Sequence, residues 1–166
     1  MRRRYKSELY RERIAFIKKL MPHCCIGVDV IVGFPCETEE LFLETVGFLD
    51  EVDVSYLHVF TYSERENTAA YTMEGAVPVE MRKRRNKVLR ALSVKKRAHF
   101  YNENLGAKRP VLFEKSKEEG VPKGYTDNYV RITSSGSEDM LNEIRNVSLD
   151  IINANGDVIT TSNIVC

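Results

Sequence analysis

The sequence predicts an α/β segment followed by a small all-β domain. Two short runs rich in β-branched residues, Ile26–Val32 and Val54–Phe60, alternate with helical periodicity up to about residue 105, and beyond Gly106 and Pro110 the pattern changes to apolar/polar alternation in short segments. At 166 residues the chain suits one domain, or one domain with a small appendage, because domains usually run to about 100–150 residues. Hydrophobic residues make up 43% and charged residues 30%, which excludes disordered, collagen-like and disulfide-scaffold classes.

Residues 7–21 read as the first helix, with Ser7 as N-cap, one apolar stripe of Leu9, Phe16 and Leu20, and a second of Tyr10, Ile14, Ile17 and Met21. Pro22 stops it. Ile26–Val32 is short and continuously apolar apart from Asp29, which suits a parallel strand covered on both faces. Thr38 is placed as N-cap of a second helix whose first residues, Glu39 and Glu40, favour a helix N-terminus, with Leu41, Thr45, Phe48 and Val52 following at helical spacing. Val54–Phe60 is the second strand. Helix, strand, helix, strand in succession argues for parallel βαβ pairing. The longest helix runs from Pro78 to about Leu105, its apolar face drawn from Met81, Val88, Ala91, Leu92 and Val94.

In the β part, strands are expected at 111–114, 125–132, 147–152 and 158–165, with a loop at Ser134–Ser137 and Asn155-Gly156 as a hairpin turn. Two parallel strands make an incomplete layer, so the first 105 residues resemble a piece of a larger α/β barrel or sheet.

The longest nearly apolar run, Cys24–Phe34, is far short of the ~20 residues of a spanning helix. The basic start Arg2-Arg3-Arg4 is followed by Ser7-Glu8 and Arg11-Glu12-Arg13 instead of an apolar stretch, so export is not expected and the cytoplasm is the default compartment. Cys24, Cys25, Cys36 and Cys166 are read as free thiols. No Cys-x-x-Cys or Cys-x-x-His pair occurs, which argues against a self-contained zinc or iron–sulfur site.

Net charge is +1, from 25 Lys+Arg against 24 Asp+Glu, but the sum conceals segregation. From Arg82 onward the long helix carries Arg82, Lys83, Arg84, Arg85, Lys87, Arg90, Lys95, Lys96 and Arg97 with no acidic residue until Glu103, whereas the segment from Ser134 holds Glu138, Asp139, Glu143, Asp150 and Asp157 against Arg145 alone. A run of one sign is costly unless an anion meets it, and nucleic-acid phosphate is a natural partner. Tyr125 and Tyr129, at i and i+4 of one expected strand, share a face and either stack on unpaired bases or pack in a core.

Two further motifs stand at the C-terminal ends of the expected strands, where α/β folds place ligands. One is Gly33-Phe34-Pro35-Cys36-Glu37-Thr38 and the other Tyr62-Ser63-Glu64-Arg65-Glu66-Asn67-Thr68. Taken in order, they resemble the Gly-Phe-Pro-Gly-Glu-Thr turn and Tyr-Ser-x-Arg-x-x-Thr loop of the radical S-adenosylmethionine methylthiotransferases, while Gly124–Val130 resembles the signature of their C-terminal TRAM domain. Arg2-Arg3-Arg4-Tyr5 matches a segment the family carries in mid-chain.

The resemblance implies the C-terminal portion of a radical-SAM partial α/β barrel over residues 1–105, including the basic helix 79–105, and a TRAM-type, RNA-binding β barrel over 106–166. Within the family, Val28–Ile31 and Leu57–Arg65 are most similar to the branch acting on N6-threonylcarbamoyl-adenosine beside the tRNA anticodon; the isopentenyl-adenosine and ribosomal-protein branches are runners-up. It implies S-adenosylmethionine and two 4Fe–4S clusters as cofactors of the complete enzyme, and tRNA and the remaining N-terminal region, in cis or as a separate chain, as partners.

On the same basis, Asp29, Gly33, Phe34 and Pro35 are the S-adenosylmethionine candidates, Tyr62, Glu64 and Arg65 the substrate-loop candidates, and Arg82, Arg84, Arg85, Arg90, Lys96, Tyr125 and Tyr129 the RNA-binding candidates. Two features depart from the family: Cys36 replaces a glycine, and the Cys-x-x-x-Cys-x-x-Cys cluster motif is absent. This chain is therefore expected to be silent by itself. A stand-alone RNA-binding module is the competing expectation.

Overall fold

A computed structural model of the chain describes residues 6–114, 122–134, 140–154 and 156–160. Arg2–Tyr5, Ser135–Asp139, Asn155 and Thr161–Cys166 lie outside them, and with them most of the expected Ser134–Ser137 loop, the Asn of the Asn-Gly turn and the end of the last strand. The chain divides into two units, one formed by residues up to Pro22 and by Ile26–Arg97, the other by His23–Cys25 and the chain from Ala98 onward.

In the first unit, α1 (Ser7–Leu20) precedes β1 (Gly27–Val32), α2 (Glu39–Glu51), β2 (Tyr56–Thr61) and the start of α3 (Val79–Asn104). Strands β1 and β2 pair in parallel, Gly27 opposite Tyr56 through Val32 opposite Thr61. Ser7 is the first helical residue and not the cap; Lys6 stands at the N-cap with no side-chain hydrogen bond. Of the two stripes on α1, the one with Tyr10 and Ile14 meets the core, while Leu9, Phe16 and Leu20 are exposed. Thr38 does cap α2, its hydroxyl accepting the Leu41 N–H at 3.3 Å.

The core of this unit gathers Ile14, Val28, Val30, Val32, Phe42, Leu49, Leu57 and Leu89. One expectation fails here. Strand β1 buries alternate residues and leaves Gly27, Asp29 and Ile31 exposed, so helices cover one of its faces and not both. Helix α3 also presents a face other than the one its valines predict. Leu89 and Leu92 enter the core, Val88 and Val94 are exposed, and Arg82 and Arg85 are buried in line with Leu89. Polar residues on α3 satisfy the outer edge of β2, where no third strand lies among the described residues: Ser93 Oγ accepts the Leu57 N–H and donates to the Leu57 carbonyl, both at 2.9 Å, and Asn86 Nδ2 donates to the Val59 carbonyl at 3.2 Å. Covering a strand edge in this way removes its exposed pairing groups.

The second unit holds the last turns of α3 and a six-stranded sheet of β3 (Lys108–Glu114), β4 (Lys123–Thr126), β5 (Arg131–Ser134), β6 (Ile144–Ser148), β7 (Ile151–Ile152) and β8 (Val158–Thr160). The order is β6-β3-β4-β5-β8-β7, antiparallel except for the parallel pair β5/β8. Its core is built from Phe100, Tyr101, Val111, Phe113, Val130, Ile132, Val147, Leu149 and Val158. Alternation had merged elements that the chain separates. The 125–132 run is a hairpin, β4 and β5 joined by a turn with Tyr129 at φ 65°, and the 147–152 run is split between β6 and β7. An α/β part followed by a β part is thus what the chain forms.

Candidate functional site

Strand β1 ends at Val32, and the chain must reverse at once to start α2. Gly33 at φ 80° and Cys36 at φ 65° make the reversal, a left-handed conformation that costs a side-chain-bearing residue roughly 1–2 kcal/mol. This accounts for glycine at the matching position of the family motif. Here Cys36 is held by its surroundings: its N–H donates to the Gly75 carbonyl at 2.8 Å and its Sγ donates to the Glu74 carbonyl at 3.3 Å. Glu37 turns back on the reversal and accepts the Gly33 N–H at 2.7 Å.

The second motif leaves β2 beside the first, with the Tyr62 N–H donating to the Val32 carbonyl at 2.8 Å. The Tyr62 ring meets Phe34 edge-on, centroids 5.4 Å apart. Its hydroxyl is buried and has no hydrogen-bond partner among the described residues. Glu64 and Arg65 are exposed.

Helix α3 locks both motifs with two arginines. Arg82, 5% exposed, donates from Nε to the Val77 carbonyl at 2.6 Å, from Nη1 to the Tyr62 carbonyl at 3.1 Å and from Nη2 to Glu64 at 2.5 Å. Its guanidinium lies 5.4 Å from the centre of the Tyr62 ring, and its stem packs where a β-carbon on Gly33 would be. That hydrogen bond holds the Glu64 carboxyl below its ordinary value and raises Arg82 above its own. Arg85, 3% exposed, donates from Nη1 to the Glu37 carbonyl at 2.9 Å and carboxylate at 2.7 Å, and from Nη2 to Glu39 at 3.1 Å. Lys96 reaches the C-terminal end of α2, donating to the carbonyls of Asp50 at 3.0 Å and Val52 at 2.8 Å; desolvation pushes its ammonium down from the usual lysine range.

These contacts revise the reading of the basic helix. Arg82, Arg85 and Lys96 meet carboxylates and carbonyls of their own unit, so the anion that the run demands is in part internal, and none of the three offers an outward cation. Arg84 and Arg90 are exposed, Arg84 lying 3.5 Å from Glu39. Sequence reasoning missed the roles of Glu37, Asn86 and Ser93 because polar residues carry no periodic signal.

A cavity of about 430 Å³ opens between β1 and helices α1 and α2, its wall including Tyr10, Asp29, Phe34, Pro35, Cys36 and Phe48. Its size falls in the range of small-molecule sites. Three of the four cofactor candidates line it, and Gly33 shapes the turn behind them. Among the described residues, no group of three or more His, Cys, Asp or Glu side chains is placed to hold a metal ion, and Cys24 and Cys36 are free thiols.

In the second unit, Tyr125 and Tyr129 are 46% and 70% exposed with ring centroids 6.3 Å apart, so the pair does not pack in the core. The turn between them is held from below. Buried Asn128 accepts the Thr126 hydroxyl at 2.7 Å and donates to the His23 carbonyl at 2.7 Å and to Asn104 Oδ1 at 2.9 Å.

Two strand-end loops clamped by a basic helix beside a ligand-sized cavity, followed in sequence by a β-sheet unit displaying paired aromatics, define an α/β-plus-β protein. No protein-family model matches the chain. Among curated proteins it is 42% identical over 153 residues to the threonylcarbamoyladenosine tRNA methylthiotransferase MtaB of Bacillus subtilis, covering 90% of this chain and 34% of that protein. To the protein of the same name from Aquifex aeolicus it is 38% identical over 141 residues, covering 84% of this chain and 33% of that one. To the tRNA-2-methylthio-N(6)-dimethylallyladenosine synthase of Bacillus licheniformis it is 34% identical over 153 residues, covering 90% and 30%. The chain is a homologue of the tRNA methylthiotransferases and spans about a third of the length of the curated relatives it matches.

Proposed function

We propose that the chain is the C-terminal portion of a radical S-adenosylmethionine tRNA methylthiotransferase that adds a methylthio group to C2 of N6-threonylcarbamoyl-adenosine. Residues 1–105 are the last part of its α/β barrel, with the basic helix 79–105, and residues 106–166 are a TRAM-type domain that binds tRNA. The observation that carries the branch is that two relatives named for threonylcarbamoyladenosine are 42% and 38% identical to the chain, against 32–35% for those named for dimethylallyladenosine. The edges of the parallel pair support the barrel reading: β2 is covered by Ser93 and Asn86, whereas the other side of β1 has no strand among the described residues.

S-adenosylmethionine, when bound, supplies the radical that abstracts hydrogen from the unreactive C–H bond. On this reading Asp29 accepts a hydrogen bond from it in the cavity, Phe34 and Pro35 exclude water, and Gly33 lets the turn form. The partnerless hydroxyl of Tyr62 donates to the substrate base, with Glu64 and Arg65 beside it. The thiols here do not fit an iron–sulfur cluster: the Cys-x-x-x-Cys-x-x-Cys spacing is absent, and no cluster step is assigned to this chain, which has no methylthiolation activity by itself. Arg84 and Arg90 contact RNA, Tyr125 and Tyr129 stack on unpaired bases, and Arg82, Arg85 and Lys96 serve by holding the loops and α2.

The test joins the chain to the remaining two thirds of a relative, reconstitutes the product with iron and sulfide, and analyses nucleosides of tRNA from a modification-deficient host. Methylthio-threonylcarbamoyl-adenosine is expected. A methylthio group on isopentenyl-adenosine instead moves the chain to the other branch, and no methylthio product on either base overturns the reading.

A further inference from the structure

The nine cations of α3 between Arg82 and Arg97 fall into two sets by partner. Five are engaged within the first unit: Arg82, Arg85 and Lys96 as described, Arg84 with Glu39 at 3.5 Å, and Lys95 with Asp50 at 3.1 Å. The remaining four, Lys83, Lys87, Arg90 and Arg97, follow one another at intervals of four, three and seven residues. At 3.6 residues per turn those intervals place them on one side of the helix, along about 21 Å of its length. All four are exposed. Lys87, Arg90 and Arg97 have no ion-pair partner among the described residues, and Lys83 meets only the exposed Glu80 at 2.8 Å.

We infer that this stripe, and not Arg82, Arg85 and Lys96 with their internal partners, is the surface through which the α/β unit follows the phosphates of an RNA. The inference rests on the reading that RNA is the partner and deepens it by naming the contact residues, three of which (Lys83, Lys87 and Arg97) lie outside the original candidates. Like charges three and four residues apart repel in the free helix, and a polyanion removes that repulsion while releasing its counterions. An anionic membrane fits less well. A helix that lies on a bilayer opposes its cations with an apolar face directed to the lipid, whereas Leu89 and Leu92 of α3 are committed to the core.

The experiment measures binding of the whole chain to a labelled, unmodified tRNA transcript by fluorescence anisotropy across a salt series. The variants are the fourfold Lys83→Gln, Lys87→Gln, Arg90→Gln, Arg97→Gln protein and the single Lys87→Gln and Arg90→Gln proteins, with thermal melts to confirm folding. Each phosphate contact contributes about 0.7–0.9 to the slope of log K against log salt, so the fourfold variant loses about three of that slope and each single variant about one. Lys95→Gln, which removes the same charge from the ion-paired flank, leaves the slope within about half of one such contact. RNA binding by the parent with an unchanged slope in the fourfold and single variants overturns the stripe and leaves the partner reading standing. Absence of RNA binding by the parent overturns both.

Discussion

Arg85 Nη1 lies 2.7 Å from the same carboxylate oxygen of Glu37 that accepts the Gly33 N–H at 2.7 Å. One buried charge pair thus joins the basic helix to the backbone reversal that starts α2. A buried pair is weak evidence of net stabilisation, but removing one member strands the other, at about 3–5 kcal/mol. Arg85→Ala is therefore expected to lower the stability of the chain by about 3 kcal/mol or more, read from urea unfolding. Arg85→Lys recovers only part of it, since an ammonium cannot span Glu37 and Glu39 together. A loss under 1 kcal/mol for the alanine variant would show that the pair is dispensable.

The turn makes opposite demands at its two left-handed positions. Gly33 has no room for a β-carbon because the Arg82 stem fills that space, so Gly33→Ala adds overpacking to backbone strain and is expected to cost about 2–4 kcal/mol. Cys36 already bears the strain, and Cys36→Gly is expected to preserve stability or raise it by up to about 1 kcal/mol. Thermal melts of the two variants, shifted in the same downward direction by similar amounts, would contradict this account.

The Arg82–Glu64 pair makes the second loop sensitive to acid. The Arg82 hydrogen bond lowers the Glu64 carboxyl below its ordinary 4.5, so the folded value lies below the unfolded one. The contribution is complete above that ordinary value and is lost as pH falls through the lowered one. Urea midpoints of the parent are expected to fall more steeply than those of Glu64→Gln below pH 4.5, with the curves converging in acid. Parallel curves would mean that the pair contributes nothing to folding.

In the β unit, Asn128 is a buried polar residue with three partners. Asn128→Ala leaves Thr126 and the His23 carbonyl short of a partner and is expected to cost about 1–3 kcal/mol. Because the turn it supports carries Tyr129, the same variant should weaken quenching of tyrosine fluorescence by single-stranded RNA. Unchanged quenching in a folded variant would separate the turn from the aromatic pair.

Several elements were legible from local pattern alone. The parallel strands, the Thr38 cap and the extent of α3 follow from β-branched runs, a capping residue and an interval free of proline and glycine, all of which act within a few residues. The motif pair at the strand ends was legible too, as was the relationship to tRNA methylthiotransferases. Cap chemistry, β-branched runs and motif order therefore determined by themselves the order of elements in the first unit and the family of chains to which this one is related.

Tertiary structure alone decided which charges are spent inside. The sequence shows nine cations in one helix and no means of ranking them, because burial of Arg82 and Arg85 depends on Glu64, Glu37 and Glu39 arriving from positions 18 to 48 residues away. It also decided that the tyrosine-bearing run folds into a hairpin. Alternation is the same for one long strand as for two short ones, and the break is set by Asn128 finding Asn104 and the His23 carbonyl. Non-local pairing of polar groups leaves no period in the sequence, so it becomes visible only when the chain has folded.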